Sequence, residues 1–176
     1  DLGIAASVVS AAMISSTFFS SGINIAVIRE VSKSGSQGVC AALFLASILG
    51  TIALFLTIAL SYLLGYPAYV LMASLFSFAS VYSIAILFCL IGLKKFREYF
   101  KVVLLGSIAK ISLLVLLRML GMGAIAILIG FLAYPITVIL LSMIIIAMSI
   151  SLTCSMNYLH RDLLSLIRLS LSNYPY

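Results

Sequence analysis

The residue of this chain best equipped for chemistry stands where water is scarce. Lys110 interrupts "VVLLGSIAKISLLVLLRMLG" (102–121), an apolar run long enough to cross a bilayer. It follows Lys101 by about 13 Å of helix rise, near the middle of a hydrocarbon core roughly 30 Å thick. Inserting a central lysine costs about 2.5–3.5 kcal/mol, and each flanking Leu, Ile or Val returns a few tenths. The run can carry the charge, but contact with lipid is its worst placement. On a helix, Val103, Gly106, Ser107, Lys110, Leu114, Leu117 and Gly121 share one side. That side collects small and polar residues, as a face turned to other helices or to a wet cavity does. Three placements are open for Lys110: a cavity-facing functional amine, a structural amine buried against a carbonyl or another part of the chain, and a residue at a misplaced span boundary. Arg118 lies about 80° further round the helix and two turns nearer the other surface, within reach of snorkelling to the headgroups.

Nothing acidic is spaced to neutralise Lys110. The acids are Asp1, Glu30, Glu98 and Asp162; the last three sit among basic residues and the first at the chain's far end. The single histidine, His160, is interfacial. Metal-assisted hydrolysis or phospho-alcohol transfer needs several converging Asp, Glu or His side chains. No catalytic residue, metal site or cofactor is therefore expected, and the chain reads as a non-enzyme. No proton or sodium relay can be assigned either. The partner that suits an unneutralised lysine is an anion that comes and goes, phosphate or pyrophosphate above all, since a point charge binds it strongly at low dielectric.

Weaker polar signals surround this one. Ser16, Ser20 and Asn24 fall at i, i+4 and i+8 beside Gly22, a stripe suited to close helix packing or to lining a cavity, as is Ser107. Pro135, after Tyr134, removes a helix hydrogen bond and is a candidate kink or hinge. Arg29 and Glu30 read as a boundary anchor, with a cavity mouth as the second place for Arg29. Cys40, Cys89 and Cys154 have no zinc or redox spacing and an odd count, so they read as small packing residues.

The elements that position these residues follow from composition. Hydrophobic residues make up 65% of the 176, charged ones 8%, and the mean hydropathy is +1.35. Soluble domains are about a quarter charged, so the solvent for most of this chain is lipid. The net charge of +6 comes in short groups between apolar runs, a topology pattern and not a nucleic-acid face. Five spans are predicted, over 3–28, 39–64, 68–93, 102–120 and 124–148, all helical because an open strand leaves peptide groups unpaired in hydrocarbon. "REVSKSGSQG", "KKFREYFK" and "HRDLLSLIR" are basic, whereas "GYP" and "GMG" between them are short and uncharged. The basic loops belong in the cytoplasm, placing residue 1 outside and residue 176 inside a multi-pass cell-membrane protein. With no signal peptide, an outside start requires a helix before residue 1. Residues 1–158 form the predicted bundle. In 159–176, Leu159, Leu163, Leu164, Ile167 and Leu171 recur at helical spacing beside Arg161 and Arg168, an amphipathic cytoplasmic lead into a truncated next span.

These residues together resemble a known family. "DLGIAASVVSAAMISSTFFSSGINIAVIREVSK", with Gly3, Gly22, Ala26 and Arg29, is similar to the second helix of the polysaccharide biosynthesis proteins, lipid-linked oligosaccharide flippases of the multidrug/oligosaccharidyl-lipid/polysaccharide exporter superfamily. "LIGLKKFREYFKVVLLGSIAKISLLVLLRMLGMGAIAILIGF" resembles that family's fourth-to-fifth loop through the start of its sixth helix, and "RDLLSLIRLSLSNYP" its lead into the seventh. The resemblance implies an all-α, polytopic transmembrane bundle of about five spans, helices two to six and part of the N-terminal lobe of a MATE-like flippase. Its expected partners are membrane lipid, a polyprenyl-pyrophosphate-linked glycan as substrate and the missing C-terminal lobe of the same chain. A cation-lined cavity, with Lys110, Arg118 and Arg29 as candidates for the anionic headgroup, is likewise what the resemblance implies. A cation-coupled multidrug exporter of the same superfamily and a non-transporting membrane scaffold subunit are the alternatives.

Overall fold

A peptide group in hydrocarbon must find its hydrogen bond within its own segment, and a helix satisfies that demand locally. The computed structural model describes residues 2–63, 65, 69–149 and 163–170, and every regular element among them is helical. These are α1 (Leu2–Ser21), α2 (Ile23–Ser34), α3 (Ser36–Leu63), α4 (Val70–Gly92), α5 (Phe96–Met119) and α6 (Gly123–Ser149). Residues 163–170 form a further short helical segment. The chain is an all-α bundle and a multi-pass membrane protein. Four helices, over Ser36–Leu63, Val70–Gly92, Phe96–Met119 and Ile125–Ser149, are long and apolar enough to cross a bilayer.

The predicted first span is not one straight helix. It breaks at Gly22, where α1 and α2 meet at 44°, and together they amount to one bent crossing. The cause is local. Ser20 and Ser21 donate their hydroxyls to the carbonyls of Thr17 and Phe18, three residues back, and Gly22 follows with its poor helix propensity. Beyond the break, α2 carries the helix through most of the expected basic loop as far as Ser34. A single residue, Gly35, then turns the chain into α3. Its φ of +58° suits glycine, and its N–H caps the Val31 carbonyl at 2.9 Å.

The α2 helix is the best-anchored part of the bundle. Ala26, Val27 and Val31 are fully buried in a core shared with α3, α4 and residues from α5 and α6. Its neighbours approach closely through glycines: a Cβ on Gly38 would stand 2.8 Å from the Glu30 carbonyl oxygen, and one on Gly92 2.8 Å from the Val31 Cβ. Across the bundle, Gly106 lies under Tyr134 and Val138, and Gly130 under Leu114, so α5 and α6 pack as a tight antiparallel pair. The remainder of α5 faces outward; only Val102 and Gly106 on it are fully buried.

Three expectations need correction here. Glu30 is not a surface anchor but a buried carboxylate, 3% exposed, whose two oxygens accept hydrogen bonds from Ser34 (3.1 Å) and Ser165 (2.7 Å). The segment 163–170 packs on the bundle through Leu163, Leu166 and Leu169, while Leu164 and Ile167 of the predicted apolar face point away. The serine pairing to Glu30 sets that rotation, which hydropathy alone does not register. Cys40 is disulfide-bonded and so not merely a packing residue, whereas Cys89 is a buried free thiol. Cys154, His160, Arg161 and Asp162 lie outside the described residues.

Candidate functional site

Lys110 reaches a cavity because of how α5 meets its neighbours. The α5–α6 turn at Leu120–Met122 sets residues equidistant from it at equal depth, so Lys110 on α5 meets Phe131 on α6. The ammonium Nζ lies 3.7 Å from the centroid of the Phe131 ring. There the negative face of the π-system offsets part of the amine's lost hydration. Phe76 of α4 meets the same ring edge-on, with centroids 6.2 Å apart. The aromatic pair forms one wall and holds the ring in position.

The space around the amine is a cavity of about 420 Å³ between four helices. Met13, Ser16 and Thr17 come from α1; Phe76, Ser80, Ser83 and Ile84 from α4; Ser107 and Lys110 from α5; Phe131 and Tyr134 from α6. Its size is that of a small-molecule site. Three of its hydroxyls are tied to their own helices: Ser16 donates to the Met13 carbonyl (3.0 Å), Ser83 to that of Ser80 (2.9 Å) and Ser107 to that of Val103 (2.9 Å). These bonds satisfy each hydroxyl hydrogen while leaving oxygen lone pairs toward the interior. Lys110 is the only charged residue of the lining, and the only ion pair among the described residues joins Lys101 to Glu98 at 3.2 Å. No group of three or more His, Cys, Asp or Glu among the described residues could hold a metal ion. The arrangement can hold a small anion against a fixed ammonium, with hydroxyls and aromatic edges around it.

The sequence candidates separate clearly. Ser16, Ser107 and Lys110 come together in the cavity. Ser20 is buried on α1 but does not line it, and Asn24 lies past the break, on α2, with its Oδ1 buried and without a hydrogen-bond partner. Arg118 and Arg29 are exposed and contribute nothing to the lining. Arg118 ends α5 where a guanidinium reaches headgroups, and Arg29 faces away from the α2 core. The α6 helix continues through Pro135 unbroken, and the sharp bend lies at Gly22 instead.

Two signals for the remaining lining residues were present in the sequence. Serines at 74, 77, 80 and 83 recur every third residue of α4, an inward stripe whose last two members line the cavity. Phe131 mirrors Lys110 across the α5–α6 turn, so an antiparallel hairpin brings them level. No protein-family model, curated protein or solved structure matches this chain, so the functional reading rests on geometry.

Proposed function

We propose that this chain belongs to a membrane transporter that moves an anionic, phosphate-bearing headgroup through the bilayer, with a polyprenyl-pyrophosphate-linked glycan as the substrate. The observation that carries the proposal is the Lys110 ammonium, held on an aromatic ring in a hydroxyl-lined cavity with no carboxylate in its lining. A buried cation resting on a ring, and not in an ion pair, is free to exchange that weak contact for a stronger one with phosphate oxygens. At about 420 Å³ the cavity accepts a headgroup and not a whole glycan, so the polyprenyl tail stays in lipid and the sugars require further walls. Transport would follow from rocking this bundle against further membrane spans, with the basic loops cytoplasmic. A cation-coupled drug exporter would call for an acid where this cavity offers an amine.

The test is equilibrium binding by the chain in lipid nanodiscs. Titration with a polyprenyl pyrophosphate, inorganic pyrophosphate and an uncharged prenol should give saturable binding of the first two only. Lys110→Ala should weaken pyrophosphate binding by tenfold or more, about 1.4 kcal/mol, and Lys110→Arg should retain part of it. Equal affinity in wild type and Lys110→Ala would end the proposal.

A further inference from the structure

The bent crossing has two halves held in different ways. The α2 half is fastened. Ser32 donates its hydroxyl to the Gly92 carbonyl of α4 at 3.0 Å, and Glu30 accepts the Ser165 hydroxyl from the far end of the chain. The backbone of Gly38 lies so close to Glu30 and Val31 that no side chain fits between them.

The α1 half has no such fastening. Its seven hydroxyl side chains are Ser7, Ser10, Ser15, Ser16, Thr17, Ser20 and Ser21, and every one but Thr17 donates to a carbonyl of α1 itself. Among the described residues, no side-chain hydrogen bond joins α1 to another helix, and α1 carries no charged residue. It meets its neighbours through small side chains such as Ala12, Ser15 and Ser16, contacts that slide without breaking a polar bond. Just past the junction, the buried Oδ1 of Asn24 lacks a partner, an unsatisfied acceptor that a second arrangement of the break could satisfy.

We infer that α1 is a hinged arm that swings about Gly22 while α2 stays fixed, opening and closing the Lys110 cavity. The arm reaches the site directly. Met13 and Thr17 both line the cavity and are exposed, so the mouth runs past α1. Met13 is about 13 Å of helix rise from Gly22, so a swing of about 10° displaces it by about 2 Å. What the motion serves rests on the anion-site reading; the hinge itself does not.

Spin labels carried on introduced non-natural residues leave the native cysteines untouched. One pair, at Ser10 of α1 and Val115 of α5, reports the arm; a second, at Ile25 of α2 and Phe100 of α5, reports the fastened half. In nanodiscs the arm pair should give a two-component distance distribution that pyrophosphate drives toward one component, a shift of about 3 Å for a swing of about 10°. The second pair should remain narrow. Gly22→Ala, which places a better helix former at φ −84°, ψ −17°, should collapse the arm pair to one component without ligand. Calorimetric titration of pyrophosphate on unlabelled protein separates the two readings. Binding with an arm pair as narrow as the control, with and without ligand, overturns the hinge and leaves the anion site standing. A two-component arm in a protein that binds no pyrophosphate supports the hinge and removes its assigned purpose. A narrow arm without binding removes both.

Discussion

The Lys110 ammonium and the Phe131 ring face each other at 3.7 Å across the α5–α6 hairpin. In a partly dry cavity this contact contributes about 0.5–2 kcal/mol. Phe131→Leu keeps the apolar bulk and removes the π-face, and should destabilise the bundle by about that amount in detergent unfolding. In a Lys110→Met background the same change should cost much less, giving a coupling energy of about 0.5–2 kcal/mol in a double-mutant cycle. Additive effects would mean that the ring and the amine are neighbours without interaction.

The bond from Ser165 to Glu30 spans 135 residues of sequence and docks the segment 163–170 onto α2. A hydrogen bond to a charged group contributes about 1.5–3 kcal/mol. Ser165→Ala should lose about that much, and the loss should be local. Amide hydrogen exchange in 163–170 should accelerate while the amides of α3 and α4 keep their protection.

Glycines at helix contacts should rank by what an added methyl would strike. On Gly38 a Cβ meets backbone atoms of Glu30 and Val31 at 2.8–3.0 Å, whereas on Gly50 it meets the Phe78 ring at 3.0 Å. A ring can rotate aside and backbone cannot. Gly38→Ala should therefore cost about 1–3 kcal/mol or more, and Gly50→Ala clearly less. Thermal unfolding of the two variants side by side would reverse this ranking if helix α2 were free to shift.

Lys94 has a φ of +59°, the only positive value at a described non-glycine residue, in the turn between α4 and α5. A side chain in that conformation costs about 1–2 kcal/mol relative to glycine. Lys94→Gly should thus stabilise the turn by about 1 kcal/mol, net of glycine's greater unfolded-state entropy. Denaturant titration in mixed micelles reads the difference directly; a loss of stability would assign the Lys94 side chain a compensating contact.

Much of the architecture was readable from residue types. Water-excluding runs had to be helices, and the α5 face drawn through Gly106, Ser107 and Lys110 is the face that packs and lines the cavity. Less readable was the start of the chain. Ser20, Ser21 and Gly22 looked like part of a packing stripe, yet serine hydroxyls that bond backward together with a glycine also end a helix. Pro135 looked the stronger breaker, but α6 runs through it, since a missing N–H costs little where neighbouring helices hold both sides.

The sequence by itself determined that this protein lives in a membrane, that its spans are helices and that an uncompensated amine lies at bilayer depth. Those conclusions depend on local sums: hydropathy over a window, charge over a loop, rise per residue. Only the tertiary structure decided that Phe131 and not a carboxylate receives the amine, that Glu30 is buried against Ser165, and that Arg29 and Arg118 stay outside the cavity. Each of these is a meeting of side chains far apart in the chain, set by helix rotation and close packing at glycines, and no local pattern encodes which faces turn toward one another.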